Sequence, residues 1–291
     1  MQNAFLDTTQ VVAAGGGRYD ATIDPRWNLR PLPQGGIVSA VALRAIAEEL
    51  DDPDQRLRTL HTTFAAQVAD GPVEVDVEVL RRGRSMSHLR AEVRNPGTSR
   101  GHLTTAIHGS TRQGFTFTDL RPPQGLPLPA ECPSFRDPPP DDVEITFEPM
   151  PFWSHVEGRP ALGHAFWEQY EPDRAERAGW YRFDEPPFLD DGRIDPLALV
   201  VLADFMPGAL GEKVGGNGPE ERPWFAPSVD LTVHLLDDCR SEWLLAHNCA
   251  RHASDGYASA DMALWDCGPE GRDEPVLVVY ATQVFFFTFL G

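Results

Sequence analysis

The sequence predicts an α+β protein in which one structural unit occurs twice along a chain of 291 residues. Two observations support this fold class. Each half has an apolar segment with helical spacing, near 37–50 and near 195–206. Each of these segments is followed by four shorter segments that read as antiparallel strands, most of them with alternating apolar and polar residues. A strand, a helix and four antiparallel strands, found twice, make an α+β repeat.

The first half begins with the alternating segment GRYDATI at 17–23, which indicates a strand. A proline-containing loop then ends in Gln34-Gly35-Gly36, directly before the helix at 37–50. Gly83 interrupts the strands that follow and predicts a turn between two of them. The four strands are predicted from Leu60 in LHTTFAAQV, at 73–82, at 85–93 and at 102–109.

The second half repeats this order. WYRFDE at 180–185 predicts a short strand, and Asp195-Pro196 predicts a helix start with Asp as the N-cap and Pro in the first turn. The helix is expected to end near Met206, before Pro207-Gly208. Asp255-Gly256 predicts a hairpin turn. The strands are predicted at 228–236, 243–251, 257–265 and 276–289.

The segments HTTF at 61–64 and DLTV at 230–233 hold equivalent places in the two halves. One long helix wrapped by an antiparallel sheet is the hot-dog arrangement, so the sequence predicts two tandem hot-dog domains. The stretch between them is rich in proline, including Pro138-Pro139-Pro140, and has little periodicity. We therefore expect domains at 1–118 and 150–291, joined by a linker at 119–149 that lies over the surface.

Charge and cysteine usage limit the classes of function. Lys and Arg total 25 against 44 Asp and Glu, a net charge of −19. Such a chain repels phosphate backbones, which argues against nucleic acid and anionic membranes as partners. The four cysteines form no C-x-x-C pair, so we expect reduced thiols in a cytoplasmic protein. No signal peptide is expected, and the apolar run 276–290 is too short for a membrane helix and predicts a buried strand.

Common catalytic motifs are missing from the sequence. It contains no H-E-x-x-H, no G-x-S-x-G and no G-x-x-x-x-G-K-[ST]. The nine histidines show no metal-ligand spacing, so no metal site is expected. His61 and His234 lie in predicted strands and are interpreted as structural histidines.

Asp204 is a candidate because it sits in LALVVLADFMPG, a helix that is apolar on every side. A buried carboxylate needs hydrogen-bond partners or a raised pKa. Asp204 is also near the helix C-terminus, which is unfavourable for a negative charge. The sequence leaves two interpretations open: a functional buried carboxylate, or a carboxylate that reaches solvent before Pro207.

Gln283 and Ser228 are weaker candidates. Gln283 shares a strand face with apolar residues and needs partners there, unless that face lies at an edge in water. Ser228 starts the strand that carries Asp230, although a Ser after Pro227 also suits a turn. At the first helix, Gly35 and Gly36 would leave free N–H groups that favour an anion or an oxyanion, or they form a plain glycine-rich helix start.

Together these segments resemble the acyl-CoA thioesterase II family of fused double hot-dog enzymes, over nearly the whole chain apart from the linker. The resemblance rests on QGGIVSAVALRA, LHTTFAAQ and VEVDVEVLRRGRSMSHLRAEV in the first half, and on LADF, SVDLTVHL, EWLL and ATQ in the second. The family's catalytic set is an Asp at the end of the second helix, a Thr or Ser two residues before an Asp-containing strand, and a Gln in the last strand. Asp204, Ser228 and Gln283 match these positions.

The resemblance implies hydrolysis of acyl-CoA to free fatty acid and CoA, with the three residues polarising a water and Asp204 taking its proton. Direct attack by Asp204, through an anhydride, is the alternative. Gly35 and Gly36 are expected to be oxyanion donors, the acyl chain to lie between helix and sheet, and no metal or organic cofactor to be required. A homodimer is expected. The rival functions are a hot-dog hydratase or dehydratase, whose D-x-N-P-x-H pattern the sequence lacks, and a non-catalytic acyl-CoA binding protein.

Overall fold

The structure is a computed structural model that describes residues 3–29, 31–141, 143, 150–165, 167–168, 170–215, 224–269, 271 and 273–289. The α-helices among these residues are α1 (Ala4–Thr9), α2 (Gly35–Leu50), α3 (Pro196–Leu202) and α4 (Gly208–Val214). The strands of the first half are β1 (Val12–Gly15), β2 (Arg18–Ile23), β3 (Arg56–Phe64), β4 (Gly71–Arg81), β5 (Met86–Arg94) and β6 (His102–Gly109). Those of the second half are β7 (Val156–Leu162), β8 (Glu176–Phe183), β9 (Trp224–Phe225), β10 (Asp230–Leu235), β11 (Leu244–Ser254), β12 (Tyr257–Asp266), β13 (Val276–Phe286) and β14 (Thr288–Phe289).

Twelve strands form one antiparallel sheet, and its order confirms the predicted repeat. From the centre outward, the first half reads β3-β6-β5-β4-β2-β1 and the second reads β10-β13-β12-β11-β8-β7. The halves meet where β3 pairs with β10, with His61 opposite Thr232 and Asp230 opposite Thr63. β9 and β14 form a separate two-stranded sheet.

The helices pack on one face of this sheet. The side chains of β2 alternate between exposed and buried, so that Tyr19, Ala21 and Ile23 point into the core. α2 is buried on almost every side because it lies between the sheet and α3. This helix pair brings the first turn of α2 close to the last turn of α3, which determines where polar side chains from the two halves can meet.

A second apolar cluster covers the opposite face of the second half of the sheet. Trp180 and Trp265 are buried there with Cys132 of the predicted linker. The Trp180 Nε1 donates to the carbonyl of Pro127 at 2.9 Å. The part of the linker around Pro127 and Cys132 thus lies over the sheet. Residues 142 and 144–149 of the linker lie outside the described residues. The division at 118 and 149 stays a prediction.

Several element boundaries differ from the sequence predictions. α2 begins at Gly35, and α3 ends at Leu202 instead of Met206, because the chain turns sharply after Ala203. α1 was too short to show a helical period, and α4 follows Pro207, where the helix was expected to stop. β7 was not predicted because it contains Gly158 and Pro160, which are unusual in a strand; Pro is tolerated here at the edge of the sheet.

The hairpin turn and the strand predicted from the apolar run are confirmed where the structure describes them, but the strand is buried on one face only. Asp255 and Gly256 both have positive φ values, 54° and 81°, as a tight hairpin turn between β11 and β12 requires. The apolar run forms β13 and β14, with position 290 outside the described residues. Among the described helices, none has both the length and the apolar character needed to cross a bilayer.

Candidate active site

Asp204, Ser228 and Gln283 lie together in the structure, although they are far apart in the sequence. The Gln283 Nε2 donates to Asp204 Oδ1 at 2.5 Å and to Ser228 Oγ at 2.9 Å. Asp204 is 7% exposed and Gln283 only 2%. The alternatives in which Asp204 reaches solvent and Gln283 faces water at an edge are therefore wrong.

The three residues come from three elements, and each element directs its side chain inward for a local reason. Gln283 lies on the core-facing side of β13, where Ala281 and Phe285 are also buried. Ser228 precedes β10 and forms an isolated antiparallel bridge with Phe285. Asp204 lies in the turn directly after α3.

Asn248 fixes this turn, a role that sequence analysis does not predict. It lies on the core-facing side of β11 and donates through Nδ2 to the carbonyls of Phe205 and Met206, at 3.2 and 2.7 Å. The amide therefore ties β11 to two carbonyls of the segment that joins α3 to α4. The signal was available in principle, because a polar amide between Ala246 and Ala250 on an apolar face needs partners.

The first turn of α2 completes the surroundings of Asp204. The Gly36 N–H donates to Asp204 Oδ2 at 2.9 Å. Asp204 is thus at the C-terminal end of its own helix but at the N-terminal end of α2, where a negative charge is favourable. The unfavourable dipole position expected from sequence is offset by a helix from the other half.

This contact also corrects the prediction of free N–H groups at the start of α2. The Gly36 N–H has Asp204 as its partner, and the Ile37 N–H donates to Gln34 Oε1 at 3.0 Å. Gln34 is the N-cap of α2 and is buried. The oxyanion role of Gly35 and Gly36 stays a prediction.

Gln34 joins the two helix ends, and sequence analysis does not identify this role. While its Oε1 caps α2, its Nε2 donates to the carbonyls of Val201 and Asp204, at 2.8 and 3.2 Å. One side chain therefore caps the start of α2 with its oxygen and binds the end of α3 and the turn after it with its nitrogen. A Gln directly before two glycines and a helix was the only sequence signal for it.

The two glycines allow this close approach. A Cβ on Gly36 would lie 2.8 Å from the Val200 carbonyl oxygen, so only Gly lets α2 approach the backbone of α3. A Cβ on Gly35 would lie 2.7 Å from the Phe64 ring and 2.9 Å from Asp204 Oδ2. Gly36 is therefore needed for helix packing, and Gly35 lets the Phe64 ring and the Asp204 carboxylate approach the start of α2.

Burial raises the pKa of Asp204 to about 6. The hydrogen bonds from Gln283 and from the N–H groups of Gly36 and Gly35 act in the opposite direction and favour the carboxylate. A pKa near 6 leaves Asp204 mostly ionised at neutral pH, yet basic enough to accept a proton. This is the range that suits a general base.

The carboxylate also fixes the orientation of the Gln283 amide. An ionised Asp only accepts hydrogen bonds, so the NH₂ group of Gln283 has to face it. The Gln283 Oε1 is then buried and has no donor among the described residues. The site therefore combines a proton acceptor with a second buried acceptor that can receive an O–H group.

The two predicted structural histidines lie at the centre of the sheet and have hydrogen-bond partners. His61 Nδ1 is 2.9 Å from Thr232 Oγ1, and His234 Nδ1 is 2.9 Å from Thr59 Oγ1. Both pairs join β3 to β10. They connect the two halves and do not contact the Asp204 cluster.

Two family models match the chain. The acyl-CoA thioesterase N-terminal domain matches residues 23–111, and the acyl-CoA thioesterase C-terminal domain matches residues 129–284. The two matches cover most of the sequence and include Gly35, Gly36, Asp204, Ser228 and Gln283. No protein with a curated description matches the chain in sequence.

Solved structures share the fold over their full length. A hot-dog protein of unknown function from Alicyclobacillus acidocaldarius is 22% identical, with a TM-score of 0.77 and 99% of both chains covered. An acyl-CoA thioesterase II, TesB2, from Mycobacterium marinum is 19% identical, with a TM-score of 0.72 and 99% of both chains covered. The tesB protein of Mycobacterium avium subsp. paratuberculosis is 18% identical, with a TM-score of 0.72 and 98% of both chains covered. These likenesses establish the tandem hot-dog fold.

Proposed function

The chain belongs to the acyl-CoA thioesterase family, and we propose that it hydrolyses acyl-CoA thioesters to free fatty acid and CoA with a water activated by Asp204, Ser228 and Gln283. Thioester hydrolysis as such follows from the family. The acyl-CoA substrate and the roles of the three residues are the proposal.

One observation carries these roles: a single amide, Gln283, donates both to a buried carboxylate and to a hydroxyl. Such an arrangement has no use in a core that only needs to pack, because a buried carboxylate costs stability unless it is paired. Asp204 has no cationic partner among the described residues; its hydrogen bonds there come from an amide and from backbone N–H groups. This leaves the carboxylate able to take a proton.

The mechanism needs one water beside Asp204 and Ser228. Asp204 accepts a proton from this water, while the water oxygen forms a bond to the thioester carbonyl carbon. The tetrahedral intermediate then collapses, the C–S bond breaks, and the CoA sulfur takes the proton from Asp204. The products are a carboxylic acid and CoA, and Asp204 returns to its ionised form. Ser228 and Gln283 hold the water and orient the carboxylate.

The start of α2 is proposed to stabilise the oxyanion of the intermediate. The N-terminus of a helix favours negative charge, and the N–H groups of Gly35 and Gly36 point to the carboxylate of Asp204, beside which the thioester has to react. When Asp204 takes the proton and becomes neutral, it needs the N–H groups of Gly35 and Gly36 less. These donors are then available to the carbonyl oxygen that has become negative.

Direct attack by Asp204 is the alternative chemistry. It would form a mixed anhydride between Asp204 and the acyl group, which water would then cleave. A single turnover in H₂¹⁸O distinguishes the two routes. Attack by water puts the label only into the fatty acid, whereas cleavage of an anhydride at the enzyme carbonyl puts label into Asp204, where mass spectrometry of the peptide detects it.

The function itself is tested with a panel of acyl-CoAs and a reagent that traps free thiol. Release of CoA thiol, dependent on Asp204, is the expected result. Binding of acyl-CoA without thiol release would support the binding protein instead, and hydration of an enoyl-CoA without thiol release would support the hydratase. The homodimer and the cytoplasmic location are proposals that gel filtration and cell fractionation would test.

A further inference from the structure

Three side chains on the sheet outside the Asp204 site can each offer a ligand atom to one metal ion. They are Glu176 on β8 and His247 and Cys249 on β11. Their ligand atoms all lie within 4.8 Å of one another. His247 Nε2 lies at the centre of the group, 2.8 Å from Glu176 Oε1 and 3.5 Å from Cys249 Sγ.

The sheet register brings these residues together. Cys249 pairs directly with Glu176 across β11 and β8, and His247 lies two residues earlier on the same strand. Residues two apart on a strand point to the same face, so the three side chains share one face. Asn248 lies between them and points to the other face, towards the turn of Asp204. The cluster therefore lies on the opposite side of the sheet from the proposed active site.

We propose that Glu176, His247 and Cys249 bind a zinc(II)-class transition metal ion. A sulfur, an imidazole nitrogen and a carboxylate oxygen form a ligand set that suits zinc or cobalt, whereas magnesium and calcium prefer oxygen ligands only. In a tetrahedral zinc site with bonds of about 2.0–2.3 Å, neighbouring ligand atoms are roughly 3.3–3.5 Å apart. The His247–Cys249 distance already has this value, and the His247–Glu176 distance needs to open by only about half an ångström.

The surroundings favour three protein ligands and an open fourth position. Cys249 is 8% exposed, while the side chains of His247 and Glu176 are 15% and 30% exposed. An ion could therefore enter from the Glu176 side and keep a water there. Asp261 lies opposite Cys249 on β12, but both of its carboxylate oxygens pair with Arg251. The fourth ligand is thus not a protein carboxylate from β12.

Sequence spacing does not reveal this site because only two ligands come from one segment. His247 and Cys249 have the H-x-C spacing of a strand, and Glu176 comes from a strand 71 positions away. The expectation of no metal site rested on spacing within single segments. The proposed site depends on the pairing of β8 with β11.

The test uses the full chain after treatment with a chelator. After the stripped chain is reloaded with Zn²⁺ and the excess is dialysed away, we expect one equivalent of Zn²⁺ per chain, measured by mass spectrometry of the metal. Co²⁺ should give a thiolate-to-cobalt charge-transfer band, and Zn²⁺ should raise Tm, because an ion that binds only the folded state stabilises it. Cys249→Ser should remove the cobalt band and lower the affinity at least 100-fold, more than the roughly 10–100-fold expected for an outer partner.

Two further variants make the test decisive. Cys132→Ser removes another buried thiol outside the cluster and should leave the cobalt band and the zinc affinity unchanged. Glu176→Gln keeps the size of the side chain and should weaken zinc binding while the cobalt band persists at saturation. The proposal is overturned if the unsubstituted chain binds no stoichiometric zinc, or if the cobalt band survives Cys249→Ser.

Discussion

The starts of the two helices α2 and α3 hold equivalent places in the repeat but have opposite chemistry. Both helices follow an outer strand of their half and precede the central strands β3 and β10. At the start of α2, the Gly36 N–H donates to Asp204, which comes from the end of the other helix. At the start of α3, Asp195 caps its own helix through Leu197 N–H at 2.9 Å and pairs with Arg44 of α2 at 2.5 Å.

The difference lies in the partner of each buried carboxylate. Asp195 is neutralised by a cation, and Arg44 extends further to Thr9 of α1, which covers this end of the pair. In the part of the chain that the structure describes, the donors to Asp204 are all neutral, and burial raises its pKa to about 6. The comparison teaches that two buried Asp residues at helix starts can differ in the groups that bind them, a cation at Asp195 and neutral donors at Asp204.

The largest effect is expected from removing the charge of the two buried carboxylates, first Asp204 and then Asp195. Asp204→Asn should lower kcat roughly 100-fold or more, the loss typical of a positioned base, while the fold is retained. Asp195→Asn should leave kcat nearly unchanged, because Asn still caps a helix. It should lower the free energy of unfolding by about 1–3 kcal/mol, since Arg44 loses its charged partner. Near-normal turnover in folded Asp204→Asn would remove Asp204 from the mechanism.

A double-mutant cycle at Ser228 and Gln283 tests whether the neutral partners around Asp204 act together in catalysis. Each single change to Ala should cost about 1–3 kcal/mol of transition-state stabilisation, measured as kcat/KM on one acyl-CoA. The losses should be strongly non-additive, because Gln283 donates to Ser228 and both act on one water. Ser228→Thr is the control and should be tolerated because it keeps the hydroxyl. Simple addition of the two losses would show that the residues act independently.

Substitutions at the two glycines of α2 should separate an effect on stability from an effect on kcat. Gly36→Ala would place a methyl group against the backbone of α3 and should lower the free energy of unfolding by about 1–3 kcal/mol, the cost of overpacking. Gly35→Ala would place it against Phe64, whose side chain can move, and against Asp204. It should lower kcat roughly tenfold with a smaller loss of stability, because reacting groups tolerate little displacement. Equal effects of both changes on kcat and Tm would contradict this separation.

The smallest perturbation is a change of pH, because the pH dependence of kcat reports the pKa of Asp204 without a mutation. With a pKa of about 6, the ionised base is lost as pH falls through 6, and kcat should then drop about tenfold per pH unit. A pH–rate profile from 4.5 to 8 measures this. A kcat that stays level from pH 7 down to about 5 would place the limb in the ordinary range of Asp and show that burial does not raise this pKa.

The raised pKa of Asp204 also affects how the free energy of unfolding depends on pH. Because the folded state holds the Asp204 proton more tightly than the unfolded chain, this group makes the protein less stable as pH rises from about 4 to 6. The buried His102 and His108, with pKa values lowered to about 4, have the opposite effect over this range. The difference between the original chain and Asp204→Asn isolates the Asp204 contribution, which should disappear in the variant.

Much of this fold follows from local sequence. The alternation in β2, the apolar segment that forms α2, and the Asp195-Pro196 start of α3 are each encoded within a few residues, because they depend on periodicity and capping. The hairpin at Asp255-Gly256 is local for the same reason, since it needs positive φ values. What local sequence did not encode clearly was β7, an edge strand with a proline.

The candidate site was predicted as residues but not as an arrangement. Asp204, Ser228 and Gln283 were singled out from burial arguments and from the family resemblance, and Gly35 and Gly36 from the helix start. Their distances depend on the pairing of β3 with β10 and on the contact between α2 and α3, which join chain segments more than 100 residues apart. Gln34 and Asn248 escaped detection because their partners are backbone carbonyls of another segment.

The sequence by itself determined the α+β repeat, the two helix starts and the presence of a polar group in each buried face, because these depend on neighbours along the chain. Only the tertiary structure decided which carboxylate pairs with a cation and which one binds neutral donors among the described residues. Asp204 and Asp195 are both buried acids near helix ends, and their difference comes from Arg44, Gly36 and Gln283, which lie elsewhere in the chain. The physical reason is that the free energy of a buried charge is determined by the groups that surround it in space.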